Sequence, residues 1–341
     1  MAPDDLPLPM AFRDLLETDD EDEWPPEATL LVAAYHGNVG RLKEIARGLD
    51  VDGKGVASTL RRTTFHGMNA LHCAAGGKGK LPVCRYLVEE VRMDVNKPDT
   101  SEERGMTPLQ HAVVGGNLPA VRYLLDHGAD LHQESYLEGQ EGFTALNAAA
   151  EKGQCEIAKF LLSRGAEVDG KSCILTSLHF ASVGGHDSTL KILLEHNADP
   201  NKEASLLTPL DLALSTCSLS CVKLLIEAGA ELNGICSPLA RAAHEGLTEA
   251  IKCLLRAGAN PNIPDMYGSF PMETAALRGT RDDVEILFPF TSPIPEVANW
   301  SIDGIINHIN LENKQLEAFH CSNSVWKKTV AKFHILVVQS L

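Results

Sequence analysis

Aromatic residues are scarce, at 5% of 341 positions, so a core here rests on Ala, Leu, Val and Ile rather than on stacked rings. Basic residues are the minority, 30 Lys and Arg against 46 Asp and Glu, and the net charge is −16. A surface of that sign repels phosphate, which disfavours general nucleic-acid binding. No apolar run approaches the roughly 18 residues of a membrane span. The start, Met1-Ala-Pro-Asp-Asp-Leu, has neither the basic flank nor the apolar stretch of a secretory signal. Nine cysteines are present, but no C-x-x-C occurs, and the C-x-x-x-C of Cys217 and Cys221 has no matching His or Cys pair nearby. Such a pattern points to buried free thiols in a reducing cytoplasm, with the nucleus as an alternative, and to no metal site. Catalytic fingerprints are missing as well: no P-loop, dinucleotide-binding fingerprint, H-E-x-x-H or G-x-S-x-G is found. Gly76-Gly-Lys-Gly-Lys lacks phosphate-loop spacing and reads as a flexible turn.

What the chain has is internal repetition. Met106-Thr-Pro-Leu-Gln-His-Ala aligns with Phe143-Thr-Ala-Leu-Asn-Ala-Ala, with Leu175-Thr-Ser-Leu-His-Phe-Ala and with Leu207-Thr-Pro-Leu-Asp-Leu-Ala. The leucines of this phrase fall at Leu71, Leu109, Leu146, Leu178, Leu210 and Leu239, and Met272 continues the series in steps of 38, 37, 32, 32, 29 and 33. A second phrase follows each first one, as in Tyr123-Leu-Leu-Asp-His-Gly-Ala-Asp and Leu224-Leu-Ile-Glu-Ala-Gly-Ala-Glu. Thr107 and Thr208 suit helix N-caps, and Pro108 and Pro209 suit the first helical position. Seven residues after the leucine comes a turn glycine (Gly37, Gly116, Gly153, Gly185, Gly246, Gly279), which Cys217 replaces in one copy. The unit is therefore helix–turn–helix–loop, and it buries its apolar face only by stacking on its neighbours.

These phrases resemble the ankyrin repeat, whose pattern includes T-P-L-H-x-A and G-A-D/N-x-N. The resemblance implies an all-α solenoid of stacked helix–turn–helix units with hairpin-like loops. About eight units are expected over 28–290, near 28–62, 66–96, 104–132, 141–169, 174–201, 205–233, 234–262 and 265–290. Longer steps place extra residues in the loops 97–105 and 133–142. His72 and His179 occupy the T-P-L-H slot, where the family's histidine makes structural hydrogen bonds between units. His127 and His196 end second helices, where a cation favours the macrodipole.

The ends differ from the repeats. Residues 1–27 hold ten acids and one arginine, and 17–23 alone hold six carboxylates, which predicts a disordered acidic arm. Residues 291–341 open with a proline-containing linker, followed by a short helical stretch after Trp300 and a poorly ordered tail. This linker resembles that of plant proteins in which ankyrin repeats precede a tetratricopeptide domain. Here the anchors of that second domain are absent or replaced.

With no catalytic residue, cofactor or metal indicated, the resemblance implies a non-catalytic interaction module, monomeric, that docks a protein partner on its concave face. A regulatory or substrate-adaptor subunit of a phosphatase, kinase or ubiquitin-ligase complex is the alternative. Mapped here, the helix-end candidates are Tyr35, His36, Glu151, Lys152, His244, Glu245 and Arg278, with Val114, Val183 and Leu277 at the same positions. The loop candidates are Arg104, Met106, Glu141, Phe143 and Tyr267, with Glu103, Gln140 and Met266 adjacent. Exposed Tyr, Phe, Met and Arg are favoured at binding hot spots. Combining Phe143→Ala with Lys152→Glu should then weaken a partner and leave thermal stability nearly untouched.

Overall fold

The protein is described from a computed structural model that covers residues 24–77, 81–100, 105–137, 140–170, 175–204, 207–234, 236–278, 280–295 and 297–320. The acidic segment 1–23, Arg104 and the tail 321–341 lie outside the described residues. The chain divides into two compact units, one ending at Ala198 and one beginning at Asp199.

Residues 24–198 form five helix pairs. The first helices are α1 (Pro26–Tyr35), α4 (Ala70–Gly76), α6 (Pro108–Val114), α8 (Ala145–Glu151) and α10 (Ser177–Val183). Their partners are α2 (Val39–Gly48), α5 (Leu81–Arg85, extended by the π-turn Tyr86–Glu90), α7 (Leu118–Asp126), α9 (Cys155–Ser163) and α11 (Asp187–Glu195). A short helix α3 (Val56–Arg62) precedes a two-residue hairpin, β1 (Thr64–Phe65) with β2 (Met68–Asn69). The longer loop expected at 133–142 is also a hairpin. Strands β3 (Ser135–Leu137) and β4 (Gln140–Phe143) pair Leu137 with Gln140 and Ser135 with Phe143.

Local chemistry starts each first helix. The Asn69 and Thr107 side chains accept amide protons of the first turn, and Pro108 fills the first helical position. These helices are short and made of small residues, and Ala145–Ala150 is buried throughout. Neighbouring first helices therefore pack in sequence, α1 on α4, α4 on α6, α6 on α8 and α8 on α10. The approach is close enough that a Cβ on Gly115 would collide with the Gly76 carbonyl, and one on Gly77 with the Tyr35 carbonyl.

Second helices are amphipathic instead: α9 buries Ile157, Ala158 and Leu161 and leaves Glu156 and Lys159 in water. Fully burying a leucine such as Leu161 contributes about 1.5–3 kcal/mol. Between second helices a cation–π series recurs. Lys43 sits 4.0 Å from the Tyr86 ring centre, Arg85 6.0 Å from that of Tyr123, and Arg122 4.3 Å from that of Phe160. Each cation comes from the repeat before its ring.

Residues 199–320 form three pairs of the same kind and a longer helix. The pairs are α12 (Pro209–Ser215) with α13 (Leu219–Glu227), α14 (Pro238–His244) with α15 (Thr248–Arg256), and α16 (Pro271–Arg278) with α17 (Arg281–Leu287). Cys217 takes the left-handed conformation, φ 58°, that the turn glycines take elsewhere. The asparagines that close the second phrase bridge one repeat to the next. Asn201 Nδ2 donates to Gly229 O at 3.1 Å while its Oδ1 accepts from Glu231 N at 2.6 Å. Asn96 makes the same two contacts, to Gly128 O and from Asp130 N, in the other unit. After the prolines comes α18 (Ile302–His320), nineteen residues long, which packs on α16 and buries Ile305 and Ile309. The stretch after Trp300 is thus a longer helix than the short one the sequence suggested, and it covers the last pair.

Candidate partner-binding face

The ends of the first helices and the loop tips carry the candidate residues, and the fold divides them into two classes. Phe143, Tyr35 and Met106 are core. Phe143 is 0% exposed, its ring set edge-on to Phe180 at 5.5 Å between centres. Its carbonyl accepts from Gln110 Nε2 at 2.7 Å and from Ser135 Oγ at 3.2 Å. Tyr35 is 6% exposed, and burial, with Cys73 adjacent, raises its phenol above the ordinary value. Met106, 8% exposed, contributes its carbonyl to the Asp99 amide at 2.9 Å. The reading of these three as exposed hot-spot side chains is therefore corrected. Phe143 and Met106 immediately precede the caps Thr144 and Thr107, a position that turns its side chain into the stack.

Among the polar candidates of residues 24–198, His36 and Lys152 reach the surface. His36, at the end of α1, borders a shallow pocket of about 200 Å³ with Trp24, Val32, Asn38 and Arg41. Trp24 and Arg41 escaped the repeat-based mapping because they lie before the first phrase and in the second helix. Lys152 caps the C-terminus of α8 and lies 3.5 Å from Glu151 Oε1, a half-buried carboxylate. Glu141 belongs to β4, at the hairpin before α8.

In residues 199–320, α14 ends in His244, whose Nδ1 lies 3.1 Å from Glu245 Oε1 and whose Nε2 meets the Arg278 guanidinium from the end of α16. His244, Glu245 and Arg278 are therefore contiguous. Leu277 beside them is 48% exposed. The loop before α16 is a tight turn in which Asp265 Oδ1 accepts the amides of Tyr267 and Ser269, both at 2.9 Å. That turn leaves Met266 49% and Tyr267 64% exposed.

Buried titratable groups serve the stack. His72 accepts the Asn69 amide at Nδ1 (3.1 Å) and meets Lys97 O at Nε2 (2.9 Å), so the neutral ring carries its proton on Nε2. Burial, and then His111 beside it, push His72 down to about 3. His111 Nε2 lies 2.7 Å from the buried Asp99 Oδ2, a pairing that no sequence spacing announced. Burial pushes the Cys84 thiol up to about 12 and raises Cys73 further, so neither is a nucleophile at neutral pH. His127 and His196 bond back through Nδ1 to Tyr123 O and Ile192 O, at 2.8 and 2.9 Å. His179 Nδ1 accepts the Thr176 amide at 3.2 Å. Among the described residues no group of three or more His, Cys, Asp or Glu is placed to hold a metal, and no helix is long and apolar enough to cross a membrane.

Comparison with known proteins agrees with this architecture. A family model described as ankyrin repeats (3 copies) matches residues 30–135, 78–172 and 170–236, and one described as ankyrin repeat matches 236–266. Among solved structures, the chain is similar to the crystal structure of the human ASB11 ankyrin repeat domain. The two share 27% identity with a TM-score of 0.58, over 67% of this chain and 100% of that one. A search of curated proteins returned no match.

Proposed function

We infer that this chain, which belongs to the ankyrin-repeat family, is a non-catalytic module that binds a protein partner through its first-helix ends and loop tips. The observation that carries this reading is the contiguous His244, Glu245 and Arg278 cluster with Leu277 at its side, together with Tyr267 and Met266 held outward by a hydrogen-bonded turn. Preformed side chains of these types lose little entropy on docking. Within residues 24–198 the corresponding positions are His36, Lys152 and Glu151, with Glu141 in the neighbouring hairpin. Arg104 is kept as a candidate on sequence alone. The partner is read as a protein bound by one copy of this chain in the cytoplasm or nucleus. Free thiols at Cys73 and Cys84 agree with such a reducing compartment. A regulatory or substrate-adaptor role is the special case in which the partner brings the activity.

Two double variants of the full chain test the reading, His36→Glu with Lys152→Glu and Tyr267→Ser with Arg278→Glu. Partners cross-linked in the native cell should be lost from at least one variant while its thermal unfolding stays that of the wild type. An unchanged partner set in both would place the interface elsewhere.

A further inference from the structure

Within residues 199–320 one buried side chain lacks the contact that its position makes in other repeats. In α4, α6 and α8 the third residue of the first helix has two tasks. His72, Gln110 and Asn147 each accept the amide proton of their own capping residue, at 3.1, 2.8 and 2.9 Å. Each also reaches outward to a later segment. His72 Nε2 meets Lys97 O at 2.9 Å, Gln110 Nε2 donates to Phe143 O at 2.7 Å, and Asn147 Nδ2 donates to Ser177 Oγ at 3.3 Å. The slot thus combines an inward acceptor with an outward donor.

Asp211 holds that slot in α12. The inward half is complete: Oδ2 accepts both the amide and the hydroxyl of Thr208, each at 2.9 Å. The outward half is not, because Oδ1 is buried and has no hydrogen-bond partner. An ionised carboxylate only accepts, whereas a protonated one has a hydrogen to give. α12 packs against α13 and α14. The titratable and charged groups that act on the carboxyl are Arg241 from α14, Glu203 from the loop before α12, and Cys236 from the segment before α14.

We propose that Asp211 is a proton-operated latch between successive repeats of residues 199–320: protonated, it supplies the outward donor that His72, Gln110 and Asn147 supply in theirs, and ionised, it withdraws that donor. The proton comes from and returns to solvent, and no other bond changes. Electrostatics act in the same direction. Burial raises this carboxyl above the ordinary Asp value, against the pull of the Thr208 bonds and Arg241, and Glu203 raises it further. For an acid raised in the folded state, the stability it contributes is full below the unfolded value and is lost as pH rises through the folded one. This part of the chain is tighter in acid on that account.

The test uses the full chain. Hydrogen exchange of peptides within 207–244, corrected for the intrinsic rate, is compared at pH 5 and pH 8 for wild type and Asp211→Asn. Wild-type protection should fall between the two, whereas the Asn variant, which has a donor at every pH, should show no fall. A parallel ¹³C titration of the wild-type Asp211 carboxyl needs no variant and decides the matter should Asp211→Asn fail to fold. A carboxyl that titrates at or below the ordinary value of about 3.9, or an equal loss of protection in Asp211→Asn, overturns the proposal.

Discussion

Phe143→Ala is the substitution on which the sequence and the structure disagree most sharply. Read as a loop-tip contact, the ring could be removed with little effect on folding. In the structure it is fully buried and set edge-on to Phe180 at 5.5 Å, between the hairpin β3–β4 and helix α8. Removing a ring from such a site costs about 3–5 kcal/mol, through lost transfer energy and the cavity left behind. The ring pair itself accounts for about 0.5–1.5 kcal/mol of that. The carbonyl that receives Gln110 and Ser135 stays in place, so no buried donor is orphaned and the loss stays within that range. Against a typical domain stability of about 5–15 kcal/mol, the variant is folded but weakened. Urea denaturation of the full chain measures the loss, and hydrogen exchange of peptides within 105–198 locates it. A double-mutant cycle with Phe180→Leu isolates the ring–ring part. A loss below about 1 kcal/mol would refute the core assignment.

Two further substitutions probe the stack in residues 24–198. Asn117 caps α7 by accepting the Ala120 amide at 3.1 Å, and its Nδ2 donates to Ala75 O at 3.0 Å and Gly77 O at 2.7 Å. Asn117→Ala should therefore cost about 2–4 kcal/mol by chemical denaturation, the lost cap adding to two buried carbonyls left without a donor. Asp at this position keeps the cap but sets a buried carboxylate oxygen against the two carbonyls, so it should cost at least as much. His72→Gln retains an acceptor and a donor, as Gln110 does in the next repeat, and removes the titration. Because His72 is depressed from 6.5 to about 3 in the folded state, the unfolded chain takes up the proton first. The stability His72 contributes is full above pH 6.5 and lost as pH falls toward 3. The Gln variant should show a flatter stability profile across that window, and an identical profile would mean that His72 is not held neutral by the fold.

Helix starts were legible because the information is local. Thr, then Pro, then Leu carries the cap, the first helical residue and the core contact within three positions, and Thr107 and Thr208 cap α6 and α12 accordingly. Cys217 stands where the repeat calls for glycine, and the backbone there is left-handed. Orientation was harder to read. Phe143 and Met106 each begin the repeated phrase, as Met68 does ahead of Asn69, and all three are buried. An apolar residue that returns at every repeat just before the cap is periodic with the core, and that was the available signal. Tyr267 lies instead inside a turn closed by Asp265, away from the phrase, and it is exposed. Other contacts could not be read from spacing at all. The Asp99–His111 pair joins a loop to the following helix, and Tyr35 is covered where Gly77 lets a second backbone approach. These follow from stacking distance, a property of the assembled repeats rather than of any one phrase.

One slot, two titrating residues and opposite signs lead to the last prediction. His72 and Asp211 both occupy the third position of a first helix, and both are buried against a neighbouring repeat. The base is depressed by burial and the acid is raised by it, because burial disfavours whichever form carries charge. Protons therefore loosen the contacts around α4 and tighten those around α12. Repeat stability is a sum of local and nearest-neighbour terms, so each effect should stay in its own stretch. Peptides covering 64–77 should lose protection as pH falls from 8 to 5, while those covering 207–217 should gain it, after correction for intrinsic exchange. The chain's net charge of −16 acts differently, since acid relieves self-repulsion among carboxylates and would shift both stretches the same way. Slopes of one sign in both would mean that surface charge outweighs the slot chemistry. Slopes of opposite sign would assign the pH response to these two side chains, and His72→Gln and Asp211→Asn should each abolish only one of them.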